Sequence, residues 1–462
     1  MGRPRQGFHA HPTTAAAAVS ASTQGPSGSG ILLYLVDMAT RFRASITWWL
    51  ALLLTACSLF PGPQPAGLPT AEATPTTSPA LINLGTPADT EVTLRLWLPV
   101  SFRADEGSPG GGILRDRLHD FEVANPGVRI DVRLRADSGP GGLRDMLGLA
   151  AGAAPEALPD VVALDQPSLH AAALKGLIHP LPAGVHPEAS AGWFAFVAPL
   201  ATVDGRMYGI PFVADCLVLA QREPAPLVPP QWKSVTTWDD QLHLPLADPS
   251  ARMLLLAYHL EGGELPASAS TLALNADALE RSLAWLNELD ERGVLSPGSL
   301  QLATPEQTLL ALQTRGRGAV TSFSALATSA RSRSGLSGSL PPTPSTQAST
   351  LVTGWAWATT AVEGDRAHTA TRLLAWLSDA EFLGEWTRAQ GMLPTRQGAL
   401  AVWPADFLTA LAAECAQAGE AQPSEEVLVT LGPLLDRAVR QVVLEGVSPR
   451  EAAQAAAAAI HP

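Results

Sequence analysis

Cysteine, lysine and tyrosine are scarce in this chain of 462 residues: three cysteines, three tyrosines, and lysine only as Lys175 and Lys233. Cys57, Cys216 and Cys415 are too few for a disulfide framework. Basic character rests on arginine, which reads as genome base composition. Charged residues make up 16% of the chain and the formal net charge is -13, so no surplus of cations exists to neutralise phosphates. Nucleic acid is thereby excluded as a partner. Catalytic signatures are missing too: no Gly-x-Ser-x-Gly elbow, no P-loop, no His-Glu-x-x-His and no Cys-x-x-Cys. The ten histidines are scattered, with His170 and His179 straddling a helix end and turn. The expectation is a protein that is not an enzyme and holds no cofactor or metal.

What is present begins with an address. Residues 1–37 are rich in Ala, Ser, Thr, Gly and Pro and carry no usable period. From Met38, the expected true start, Arg41 and Arg43 precede an apolar run, Ile46 to Leu54, too short to span a membrane and stay there. Leu54-Thr55-Ala56-Cys57 then matches a lipobox, where small residues fit a peptidase groove and the cysteine sulfur takes diacylglycerol. Residues 1–57 are accordingly an extra segment plus a lipoprotein signal peptide. Residues 58–88, rich in Pro and Thr and nearly uncharged, cannot bury a core and read as an extended tether. These features predict a chain at the cell surface or in the periplasm, held to the membrane by lipidated Cys57.

The remaining length exceeds one core, so two lobes are expected. Val92 to Leu98 and Val128 to Leu134 alternate as strands around a helix marked by Leu114, Leu118 and Phe121, a βαβ unit with a parallel sheet. A second helix (Leu143, Met146, Leu147, Ala150) leads to a buried strand, Val161 to Leu164. Ligands in such sheets bind beyond the carboxyl ends of the strands, which makes Asp165 and Gln166 cleft candidates. The same two residues could simply cap a helix from Ser168 to Lys175, and the pattern leaves both readings open.

Asp204-Gly205 predicts a tight turn before Tyr208 to Phe212, where Pro211 excludes a central, fully paired strand. Thr237 is expected to N-cap a helix with Asp240 completing a capping box. Asn275 to Glu291 is an amphipathic helix striped by Leu279, Leu283, Leu286 and Leu289, and residues 330–350 should be an exposed loop. On a strand through Gly354-Trp355-Ala356-Trp357-Ala358 the two indoles share a face and the other face has almost no bulk. Either indole could stack on a sugar ring or fill a core.

The run Val203 to Asp215, VDGRMYGIPFVAD, resembles the solute-binding proteins of ABC importers, in particular the family of maltose-binding and other sugar-binding proteins. An acidic-Gly-basic turn, an aromatic, Gly-Ile-Pro and a following acidic residue is that family's pattern where the chain crosses between lobes. PDVVALDQPSLHAAALKGLIHPL, TRGRGAVTSF and Gln390 to Arg396 extend the resemblance over roughly residues 90–460. It implies a periplasmic-binding-protein-like α/β fold with a hinge and a central ligand cleft. Lobe 1 would comprise 89–212 and 322–364, and lobe 2 would comprise 213–321 and 365–462. It further implies a monomer that captures a sugar or polyol and delivers it to a membrane permease. Asp215 would accept hydroxyl hydrogen bonds and Trp355 or Trp357 would stack on a ring. Phe323 stands where sugar binders place an aromatic, though a strand end would contain it too, and Arg396 either reaches the cleft or braces its turn. The alternative is a surface lipoprotein on this fold that senses or scaffolds without import.

Overall fold

A computed structural model describes residues 92–460 apart from 183, 185–191, 223–226, 267, 333–334 and 362. Met38, Cys57, the lipobox and the tether lie outside the described residues. The strands are β1 (Val92–Pro99), β2 (Val128–Arg135), β3 (Val161–Asp165), β4 (Thr202–Val203), β5 (Arg206–Met207), β6 (Gly209–Gln221), β7 (Leu242–His243), β8 (Gly318–Ser322), β9 (Ser337–Ser339), β10 (Thr350–Thr359), β11 (Leu393–Pro394) and β12 (Gly419–Ala421). All but β4 and β5 join one mixed sheet in the order β2-β1-β3-β10-β6-β8-β7, with β9 and β11 on β6 and β12 on β10.

The alternating apolar residues of β1 pair in parallel with β2 and β3, as the βαβ reading requires. Leu94, Leu96, Leu98, Leu114, Leu118 and Phe121 enter a first core. A second core is built by the Ala276–Glu291 helix, whose leucine stripe is buried, together with the Arg252–Leu260, Glu425–Val443 and Pro449–Ala458 helices. Asn275 caps the Ala276–Glu291 helix through its side chain, and Gly293 just beyond it takes a left-handed φ of 70°. A third core, around Phe196, Val218, Phe323, Leu411 and Cys415, lies under the opposite face of β6.

Several expectations are corrected. Pro211 sits inside β6, a strand that is central yet, as expected, not fully paired at the proline: Val213 faces Trp355 and Pro211 faces Ala356, leaving Phe212 as the extra residue of a bulge. On the other side of β6 the pairing with β11 begins only at Val213, so no strand there asks Pro211 for an N–H. No helix starts at Thr237. The short Trp232–Val235 helix comes before it, the Thr237 hydroxyl donates to the Ser234 carbonyl, and Pro245 stops any helix running on. The segment 330–350 is mostly loop, as expected, but much of it is not exposed: β9 pairs with β6, Leu340 and Thr343 are buried, and Pro342 accepts a hydrogen bond from the Trp232 indole. The Gly364–Trp376 and Ala380–Gln390 helices, assigned above to the second lobe, contribute Leu373, Leu374, Leu383 and Trp386 to the first core.

One helix contact is tight enough to test. Ala251, with φ 48°, closes the turn from Asp248 that starts the Arg252–Leu260 helix, and a methyl on Gly432 would stand 1.9 Å from the Pro249 carbonyl oxygen of that turn. Gly432→Ala gains about 1 kcal/mol of helix propensity. Overpacking against a backbone atom costs about 1–3 kcal/mol or more. The clash wins, and the expected outcome is a melting temperature lowered by about 1–3 °C in a circular dichroism scan. An unchanged or raised midpoint would show that the turn yields freely.

Candidate functional site

The register of the three middle strands assembles the site. Residues directly opposite in an antiparallel pair share a face. Trp355 faces Asp165 on β3 and Val213 on β6, and Thr353 faces Asp215. Asp165, Val213, Asp215, Thr353 and Trp355 therefore lie on one face of the sheet.

That face changes character along its length. On β6, Val213 belongs to the first core and Leu217 to the second, with half-buried Asp215 between them. On β10, Leu351 belongs to the second core and Trp357 to the first, with half-buried Thr353 and Trp355 between them. The opposite face is unbroken: Ala214, Cys216, Val218 and Val352 all lie in the third core. Two strands thus cross from one core to another, and the gap between the cores exposes a carboxylate, a hydroxyl and an indole.

Both aspartates of the face also cap helices. Asp165 accepts from the Ser168 N–H at 3.0 Å as N-cap of the Gln166–Leu174 helix, so the helix begins two residues earlier than Ser168 and the capping role holds for Asp165. Asp215 accepts from the Ser324 N–H at 3.1 Å, from the Ser324 hydroxyl, and from the Cys216 N–H at 2.9 Å. It stands at the start of the Phe323–Ser332 helix, where the macrodipole favours an anion. Burial nevertheless pushes both carboxyls above the ordinary aspartate range, and the hydrogen bonds recover only part of that shift.

The linkage sign follows. In the unfolded chain these carboxyls titrate near 3.8. With folded values raised, the native state holds more protons between 3.8 and its own higher value, so stability falls as pH rises through that window. Asp406, whose pKa is lowered by hydrogen bonds from Thr409 and by Arg388 despite some opposing burial, contributes the opposite slope. The informative quantity is thus the difference between wild type and Asp215→Asn. Urea midpoints of the two should diverge as pH rises from 4, the wild type falling further, and parallel curves would contradict the account.

Gln166 is buried, donates from Nε2 to the Gln422 carbonyl at 3.0 Å, and leaves Oε1 with no partner among the described residues. Gln422 in turn reaches the Thr353 hydroxyl at 3.3 Å. Gln166 and Gln422 line a cavity of about 550 Å³ with His170, Thr202, Asp204 and Ser268. Burial lowers the pKa of His170, favouring the neutral ring, which lies 3.3 Å from the Leu200 carbonyl. On the far side of Asp215, Ser324 borders a second hollow with Glu306, Gln313 and Thr328, of about 620 Å³. A hollow of about 580 Å³ at the β2 edge has Ile130, Val132 and Leu134 on one wall and charges at its rim, and it lies away from the crossing strands.

Three predicted residues stand elsewhere. Trp357 has no exposed surface and stacks on Phe212 at 4.0 Å, so it offers no face to a ligand. Phe323 is equally buried, opening a helix rather than ending a strand, in the third core with Trp403. Arg396 donates to the Ser378 carbonyl at 3.1 Å and lies over Trp193 at 4.9 Å, bracing its turn. Trp355 remains half-buried, edge-on to Phe102 at 5.1 Å. Thr353, Ser324 and Gln422 were missed. Thr353 was within reach, two residues before Trp355 on the same strand face. Gln422 had no local signal, because only the β12–β10 pairing brings it in.

Comparison with known proteins bears on this geometry. The family profile described as bacterial extracellular solute-binding protein matches residues 117–413. No curated protein matches in sequence. Among solved structures, a cyclic α-maltosyl-1,6-maltose binding protein from Arthrobacter globiformis aligns with TM-score 0.65 at 16% identity, over 80% of this chain and 98% of its own. The maltose-binding periplasmic protein of Listeria monocytogenes gives 0.64 at 14% identity, over 80% and 97%. An ABC transporter solute-binding protein from Thermotoga lettingae, bound to α-D-tagatose, gives 0.61 at 18%, over 80% and 98%. At these identities the likeness is one of fold, the periplasmic-binding-protein arrangement.

Proposed function

Because the chain belongs to the bacterial extracellular solute-binding proteins, we propose that it captures a sugar or related polyol in the gap between its two cores and delivers it to the permease of an ABC importer. The observation that carries this reading is the interrupted face of β6 and β10, apolar at both ends and polar only where the strands cross the gap. A hydroxylated ring has the matching chemistry: hydroxyls that donate to a carboxylate, and an apolar face that stacks on an indole.

In this reading Asp215 accepts from ligand hydroxyls through the oxygen that holds only the Ser324 hydroxyl. Trp355 stacks on the ring, and Gln166 Oε1 gains the donor it lacks. Asp165 and Arg396 hold the site's frame rather than touch the ligand. The two lobes correspond to the first and second cores, joined by β6 and β10, and close on the ligand because the closed state alone makes both sets of contacts. The monomeric protein is tethered at the cell surface or in the periplasm by diacylglycerol on Cys57, with 58–88 as spacer.

Thermal unfolding of the purified protein against mono- and oligosaccharides, polyols and sugar phosphates tests the proposal. A ligand at a hundred times its dissociation constant adds about 2.7 kcal/mol, a readable shift. One sharp hit among the neutral sugars or polyols supports the reading. A flat panel from a cooperatively unfolding sample would reject that substrate class.

A further inference from the structure

Cys216 and Cys415, the two cysteines among the described residues, are 199 positions apart in number and share the third core. Cys216 lies on β6 opposite Val352 of β10, with its side chain in the third core, on the reverse of the face that carries Asp215. Cys415 is in the last turn of the Phe407–Ala418 helix, which runs directly into β12, and β12 pairs in parallel with β10 from Thr350 to Val352. A methyl on Gly419 would meet both the Val352 side chain, at 2.7 Å, and the Cys415 carbonyl, at 2.9 Å. The helix end is therefore seated on the strand partner of Cys216. Both thiols are free and buried in the same core.

We propose that Cys216 and Cys415 form a disulfide in the exported protein. The inference rests on the family's extracellular setting, since exported proteins meet an oxidising environment that keeps such pairs closed. In the reaction the two thiols release two protons and two electrons as the S–S bond forms. A disulfide-bearing oxidant, either a thiol–disulfide carrier or oxidised glutathione, takes up those electrons and is reduced to two thiols. The bond has to form before the third core closes, because burial holds the Cys216 thiol protonated and the thiolate is the reactive form. Once made, it pins the Phe407–Ala418 helix to the crossing strand beside Asp215 and closes a loop of about 200 residues, long enough to restrict the unfolded chain strongly.

The test is peptide mapping of the full chain isolated from the cell envelope, with thiols alkylated by iodoacetamide in denaturant and no reductant. The proposal expects the Cys216 and Cys415 peptides joined, lighter by two hydrogens than their sum, and alkylated only after dithiothreitol. Reduction should lower the melting temperature by about 5 °C. A second arm reduces and unfolds the protein, refolds it with oxidised glutathione, and expects the same link to return. Both cysteines alkylated without reductant in both arms, or either one linked to Cys57 or to a second chain, overturns the pairing. A chain that stays in the cytosol with free thiols, yet forms the link with glutathione, refutes export and upholds the pairing.

Discussion

Asp215→Ala is expected to weaken ligand binding by roughly 30- to 700-fold. The carboxylate stands alone between two cores on β6, and each hydrogen bond to a charged acceptor contributes about 1.5–3 kcal/mol. Losing one or two ligand contacts amounts to about 2–4 kcal/mol, at tenfold per 1.4 kcal/mol. The alanine also strands the N–H groups of Cys216 and Ser324 and the Ser324 hydroxyl. Part of that cost is offset, because a carboxylate whose charge is disfavoured by burial is removed with them. Asp215→Asn separates the two roles: its carbonyl oxygen can still accept from both N–H groups, so the fold is kept while the charged acceptor is gone. Calorimetric titration with the sugar identified by thermal shift measures both variants. Binding by Asp215→Ala within threefold of wild type would remove Asp215 from the site.

Trp355 and Trp357 are expected to part company. They are two residues apart on one strand face, yet Trp357 is fully buried against Phe212 whereas Trp355 opens to the gap. Trp357→Ala should destabilise by about 3–5 kcal/mol, the range for truncating a buried large aromatic. That corresponds to a melting temperature lower by about 4–7 °C for a chain of this size. Trp355→Ala should cost far less stability and weaken sugar binding by about 5- to 20-fold, the worth of an aromatic contact plus some buried area. Thermal scans and titrations on the pair decide it. A Trp355 variant that melts lower than the Trp357 variant and binds normally would reverse the assignment.

Legibility in the sequence follows how local each cause is. The βαβ unit and the leucine stripe from Leu279 to Leu289 are set by neighbours within a few turns, and the structure has them as the pattern implies. The Asp204-Gly205 turn also stands as expected, with φ of 49° and 71°. Pro211 did mark a break in the pairing, but not an edge, because a proline restricts only its own N–H and a single bulge lets a central strand carry it. The segment at 330–350 looked exposed by composition, yet β6 offered it an edge and Trp232 a hydrogen bond. For the site, period 2 correctly grouped the two tryptophans on one face. It could not say where along that face the core stops, since that depends on which helices pack from above. Gln422 and Ser324 enter from distant parts of the chain, and only the sheet order brings them beside Asp215.

Hydrogen–deuterium exchange of the protein with and without its sugar tests the central claim most directly. The account predicts ligand-dependent protection concentrated at 165–168, 213–217, 322–326, 352–356 and 421–424, the backbone around the gap between the two cores. Protection confined to the β2-edge hollow at 115–134, or none at a saturating concentration of a proven ligand, would place the binding site elsewhere and contradict it.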